Sequence, residues 1–145
     1  MSGLAALLAE HNPPDLYQWH SAAHVPDIEH AVDHAGWRFV YVDGWTIEDE
    51  QSFLKAFSAA FALPDGSPSV DALGDRLGEV GCGDKQGVVV LWDGWSPFAR
   101  HQQDAFARSL EVLRRRSGSR DGCAFAVLLR GEGPPLELPE LPARA

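Results

Sequence analysis

The sequence predicts an α/β domain built on a parallel sheet, and three observations predict it. Two runs, Val88-Val89-Val90-Leu91-Trp92 and Ala124-Phe125-Ala126-Val127-Leu128-Leu129, are apolar without alternation. An unbroken apolar strand is one covered on both faces, as parallel strands are. Trp37-Arg38-Phe39-Val40-Tyr41-Val42 is aromatic and β-branched and ends at the turn Asp43-Gly44, a strand-and-turn signal. Segments with helical apolar spacing separate these runs, and strands alternating with helices close into a parallel sheet with helices packed on it. Three or four strands are expected, with Val88–Leu91 and Ala124–Leu128 inside the sheet.

The remaining elements follow in order. Leu4 to Ala9 is a short apolar helix candidate, broken by Asn12-Pro13-Pro14. Leu16-Tyr17-Gln18-Trp19 alternates apolar and polar residues, as a short strand does. Pro26 suits the first turn of a helix, with Ile28, Val32 and Ala35 as its stripe and Gly36 as its stop. Thr46 or Asp49 can cap the next helix, whose buried face is Phe53, Phe57 and Phe61. Asp65-Gly66-Ser67-Pro68 is a turn, and Ser67 as N-cap with Pro68 at the first helical position launches a helix with Val70, Leu73 and Leu77 inside. Gly78 to Gly87 is a loop, and Ser96-Pro97 starts a helix that runs through Phe106, Leu110 and Leu113 into Arg114-Arg115-Arg116. Cationic residues there suit the dipole of a last turn. Residues 1–36 read as an N-terminal strand-and-helix extension packed on a domain at 37–131. Residues 132–145, with four prolines and no periodicity, read as a loose, extended tail.

The composition removes several functions. The chain has 145 residues, enough for one domain with a real core. Its net charge of −9 disfavours direct nucleic-acid binding, which needs cations against phosphates, and attachment to anionic lipid. An acidic surface suits a basic protein partner. No stretch reaches the roughly 18–20 apolar residues of a membrane span, and the first residues lack the basic start of a secretory signal. Two cysteines, Cys82 and Cys123, far apart in sequence, fit a reducing compartment. A cytoplasmic location is expected.

Few groups point to chemistry. Gly81-Cys82-Gly83 precedes a strand, so it is no phosphate loop. Cys82 lies among glycines and acids, which do not lower a thiol pKa, and Cys123 opens a buried strand. No enzymatic role and no cofactor are expected. His20 and His24, and His30 and His34, are four apart, the spacing of paired zinc ligands on a helix. Pro26 separates the pairs and no cysteine is near, so solvated side chains and no metal are expected. Asp71 and Asp75 are four apart on one helix face, opposite Val70, Leu73 and Leu77. Paired acids there mark either a contact for a cationic partner or plain surface.

In order, these pieces resemble the barstar family of ribonuclease inhibitors over about residues 37–131. Val40-Tyr41-Val42-Asp43-Gly44 is similar to that family's first strand and turn, and Gly44 to Ala62-Leu63-Pro64 to its following helix. Val70-Asp71-Ala72-Leu73-Gly74-Asp75-Arg76-Leu77 resembles the family's Leu-Asp-Ala-Leu-Trp-Asp-Cys-Leu segment. Val88–Trp92 and Gly122–Leu129 resemble its later strands. The resemblance implies that the helix with both aspartates enters a nuclease active site, its carboxylates standing in for RNA phosphates. It thereby makes Asp71, Asp75, Asp65 and Gly74 the contact positions.

Three departures stand out. The loop at Asp65–Pro68 is a residue short and lacks the family aromatics. The family Trp is Gly74, so a large anchor is missing. A family acid falls among Arg114, Arg115 and Ser117, which reverses the sign there. Two functions follow as expectations: an inhibitor of a basic protein such as an extracellular-type ribonuclease or toxin, or the same fold reused as a regulatory or scaffold domain without a nuclease partner.

Overall fold

The computed structural model describes residues 3–10, 12–63, 68–118 and 123–141. In chain order these form α1 (Gly3–Leu8), β1 (Leu16–Trp19), α2 (Val25–His34), β2 (Arg38–Asp43), α3 (Glu50–Ala60), α4 (Val70–Gly78), β3 (Gly87–Asp93), α5 (Ser96–His101), α6 (Gln103–Ser117), β4 (Ala124–Arg130) and β5 (Glu140–Leu141). The strands make one sheet in the order β2-β3-β4-β1-β5, and every neighbouring pair is parallel.

The sheet divides the core in two because strand side chains alternate. Val88, Val90 and Trp92 of β3 point to one face, where Phe53 and Phe57 of α3, Leu73 and Leu77 of α4, Phe98 of α5 and Phe106 of α6 cover them. Val89 and Leu91 point to the other, under Leu4 and Leu7 of α1 and Ile28 and Val32 of α2. All of β3 is buried, and β3 and β4 are inner strands, as their unbroken apolar runs require.

Local chemistry sets the ends. Asp49 caps α3 by accepting from the Ser52 N–H at 2.8 Å, and the Ser52 hydroxyl accepts from the Asp49 N–H at 3.2 Å. That reciprocal pair is a capping box, and the Ser52 hydroxyl and N–H hold the Asp49 carboxyl below its ordinary pKa. The helix expected from Ser96 to Arg116 is two helices. Gln102 leaves helical geometry at φ −139°, ψ 78°, which lets Phe98 and Phe106 both reach the Trp92 ring, at 6.4 and 5.9 Å between centroids.

Three expectations are corrected. The sheet has five strands, not three or four. β5 is two residues long, too short for any periodicity to register in sequence. Second, the tail at 132–145 is not all loose. Gln18 Nε2 donates to the carbonyls of Leu136 and Leu138, the Gln18 N–H donates to Pro139, and Leu141 is buried. Residues 142–145 lie outside the described residues. Third, α4 is capped by Ser69, whose hydroxyl accepts from the Ala72 N–H at 3.1 Å, and Pro68 precedes the helix. Ser67, expected as the cap, lies outside the described residues with Asp65.

The tail can be tested directly. Leu141→Ala removes a side chain that is 1% exposed, so it should cost about 2–3 kcal/mol in urea denaturation. A change within about 0.5 kcal/mol would mean that the tail is not part of the fold.

Candidate functional site

α4 is amphipathic, and its outward side carries the candidate residues. Val70, Leu73 and Leu77 are buried, whereas Asp71 and Asp75 are exposed. Gly74 and Asp75 lie three and four residues after Asp71, and Gly78 lies four and three after those two, so the four residues form one stripe. Across the groove beside that stripe stand Val112 and Arg115 of α6. Asp65 lies outside the described residues.

Gly74 is half-buried because α4 packs close to α6. A Cβ added there would sit 2.8 Å from a methyl of Val112, nearer than side chains approach. The surface of α4 at position 74 is thus partly closed by the neighbouring helix.

Arg116 holds the far end of α4. Its side chain is only 4% exposed. Nε donates to the Leu77 carbonyl at 2.8 Å, Nη2 to Val80 at 3.2 Å and Nη1 to Cys123 at 3.2 Å. The guanidinium also lies 4.8 Å over the Phe125 ring. Carbonyls in the last turn of a helix lack helical partners, and the arginine fork supplies donors to them. Burial lowers the Arg116 pKa from its ordinary value. The sequence suggested only a dipole role for Arg114–Arg116. That two of these arginines are exposed and one buried follows from packing, not composition.

Cys82 and Cys123 are joined as a disulfide across 41 positions, with Cα atoms 6.4 Å apart. The sequence suggested two separate reduced cysteines. The loop after α4 and the start of β4 meet only in three dimensions.

A second cluster occupies the carboxyl ends of the strands, where open parallel sheets commonly bind ligands. Arg130 grips Asp93 with two bonds, Nε to Oδ1 at 2.6 Å and Nη2 to Oδ2 at 2.8 Å. Its Nη1 donates to the carbonyls of Ala23 at 2.6 Å and Ser21 at 3.3 Å, in the β1–α2 loop. Tyr41 donates to Asp93 Oδ2 at 3.1 Å. Burial of its hydroxyl and then the charge of Asp93 push the Tyr41 pKa up to about 12. The sequence reading missed this cluster, although a signal existed. Asp93 and Arg130 end the two seven-residue apolar strands and are partners in the parallel register.

The described histidines do not converge. His20 reaches Glu140 at 3.8 Å, and His30 stacks on His34 with ring centroids 6.1 Å apart. Among the described residues no three metal-ligating side chains gather. Nor is any helix among them long and apolar enough to cross a membrane.

Fold and site together define a parallel α/β domain with two of its exposed acids paired on one short helix. The chain matches the family model of Barstar (barnase inhibitor) over residues 37–130, and it belongs to that family. No curated protein matches it. Among solved structures it is similar to the ORC2 protein of Aeropyrum pernix, determined as ADPNP–ADP complexes, at a TM-score of 0.58 and 18% identity. That match covers 90% of this chain and 38% of the ORC2 chain, so the likeness is one of fold over little more than a third of the larger protein.

Two outcomes test the geometry. Arg116→Ala removes the side-chain donor to the carbonyls of Leu77, Val80 and Cys123 and should cost about 3 kcal/mol or more in chemical denaturation; a loss below about 1 kcal/mol would show that the guanidinium does not hold α4. A phenol with its pKa raised from 10.0 to about 12 on folding contributes stability below pH 10 that is lost as pH rises through 12. Wild type should therefore lose stability over that window more steeply than Tyr41→Phe.

Proposed function

We propose that this protein is a non-enzymatic, protein-binding inhibitor that places the acidic stripe of α4 against a basic partner, a ribonuclease in the first instance. The observation that carries this reading is the pair Asp71 and Asp75, both exposed on one face of a helix that lies within the stretch matched by the family model and resembles the family's Asp-Ala-Leu-x-Asp motif. Exposed carboxylates draw in a cationic surface over a distance and form strong charge-assisted bonds once water leaves. The net charge of −9 favours such an encounter.

The carboxyl-edge crevice supports the non-enzymatic part. Its charges neutralise one another, and the loop that borders it turns two carbonyls toward Arg130. A loop used in this way offers acceptors where an anionic substrate needs donors.

A second reading, a regulatory or scaffold domain without a nuclease partner, is favoured by Gly74. With no side chain there and Val112 behind it, α4 lacks a large anchor.

Asp75→Ala separates the two. An exposed acid adds little to folding, so the melting curve should move by no more than about 0.5 kcal/mol. Against a set of basic secreted-type ribonucleases that includes barnase, the same change should cost about 2–5 kcal/mol of binding. Affinity should also fall with added salt. Failure of the whole set to bind, or equal affinity of wild type and Asp75→Ala, would leave the regulatory reading.

A further inference from the structure

We propose that Cys82 and Cys123 form a reversible thiol–disulfide site, open to small thiols of the glutathione class, whose state sets how firmly the end of α4 is held. Its bearing on partner binding rests on the reading of α4 as the contact helix; the site itself does not.

Three observations converge on it. The first is position. Cys82 follows α4 by four residues and Cys123 immediately precedes β4, so their bond ties the segment after the acidic helix to the centre of the sheet. Arg116 ties the same segment through the carbonyls of Leu77, Val80 and Cys123. The two fastenings share Cys123 and work in parallel.

The second is access. Both cysteines are half-buried, Gly81 and Gly83 beside Cys82 are exposed, and a Cβ at either glycine would meet nothing within 4 Å. An incoming thiol can therefore approach the Cys82 sulfur from solvent.

The third is the leaving group. Arg116 Nη2 lies 3.9 Å from the Cys123 sulfur. A cation beside a sulfur stabilises its thiolate, and a better leaving thiolate speeds exchange. Chemistry and access thus assign different roles to the two sulfurs.

The step balances as ordinary exchange. A small thiol loses its proton, and its thiolate attacks the Cys82 sulfur. The Cys82–Cys123 bond breaks, and its electron pair goes to Cys123 beside Arg116. A second small thiolate attacks the mixed disulfide on the small molecule's sulfur, releasing the Cys82 thiolate and the small disulfide. The protons lost by the two small thiols end on the two cysteines. The chain gains two electrons, and two small thiols are oxidised to one disulfide. Excess small disulfide runs the same steps backwards.

The experiment uses the full chain with glutathione as the probe. The native protein is equilibrated in reduced-rich or oxidised-rich glutathione and alkylated for intact mass; hydrogen exchange is followed in parallel. The expected result is two alkylated thiols per chain in the reduced buffer and none in the oxidised one. Amides at 77–83 should exchange faster by about tenfold on reduction, while β3 is unchanged. Cys82→Ser, on an exposed loop, should show the faster amide exchange of the reduced state in both buffers.

Thiols that never pair in oxidised glutathione would overturn the proposal. So would a bond that opens only after denaturation, or equal exchange in the two states. If these measurements come out as expected but no basic ribonuclease binds either state, the contact-helix reading falls and the thiol–disulfide site stands.

Discussion

A strand with apolar side chains on both faces has to lie between other strands and between two layers of helices. Anywhere else it would expose one row of side chains to water. All seven residues of β3 are buried, and most of the architecture follows from that constraint. β2 and β4 flank it in register. The phenylalanines of α3, α5 and α6 crowd Trp92 on one face, and α1 and α2 close the other. The segment before residue 37 is therefore more than an addition. It supplies the helices that keep Val89 and Leu91 dry, and it places β1 between β4 and β5.

Much of this could be read from the sequence because apolar periodicity is local information. The β1 bounds and the buried faces of α2, α3 and α4 were legible from spacing, and the α3 cap was one of two candidates, Thr46 and Asp49, that cap chemistry left open. The exposure of Asp71 and Asp75 followed from the stripe opposite them. What could not be read depended on contacts between distant positions. β5 exists because Gln18 gathers the carbonyls of the tail. Cys82 meets Cys123 because the segment after α4 runs beside the start of β4. The break at Gln102 reflects the demand of two phenylalanines for the same tryptophan. The cap of α4 moved by two residues because a neighbouring serine offers the same hydroxyl, a choice that composition does not resolve.

The two charged clusters behave differently for a physical reason. Asp93 and Arg130 are mostly withdrawn from water and held by several bonds each, so they fix geometry. A buried charge missing its partner is costly, which makes such a pair a fastener and not a free hand for ligands. The carboxylates of α4 stand in solvent, with nothing internal to satisfy. Similar side chains therefore divide between holding the fold and staying free in solvent according to how far each is from water.

The contact between Gly74 and Val112 constrains which sequences lie within reach of this one. Any residue other than glycine at position 74 collides with the Val112 methyl unless α6 yields, and overpacking of that kind is destabilising. The two positions therefore cannot vary independently. An ancestor or descendant with a large side chain on this face of α4 would first need a smaller residue at 112, because the reverse order passes through a strained intermediate. The bare surface of the helix thus behaves as a ratchet. Once the two helices have closed together, introducing a bulky side chain at position 74 takes two ordered steps, while exchanging either of the solvated acids takes only one.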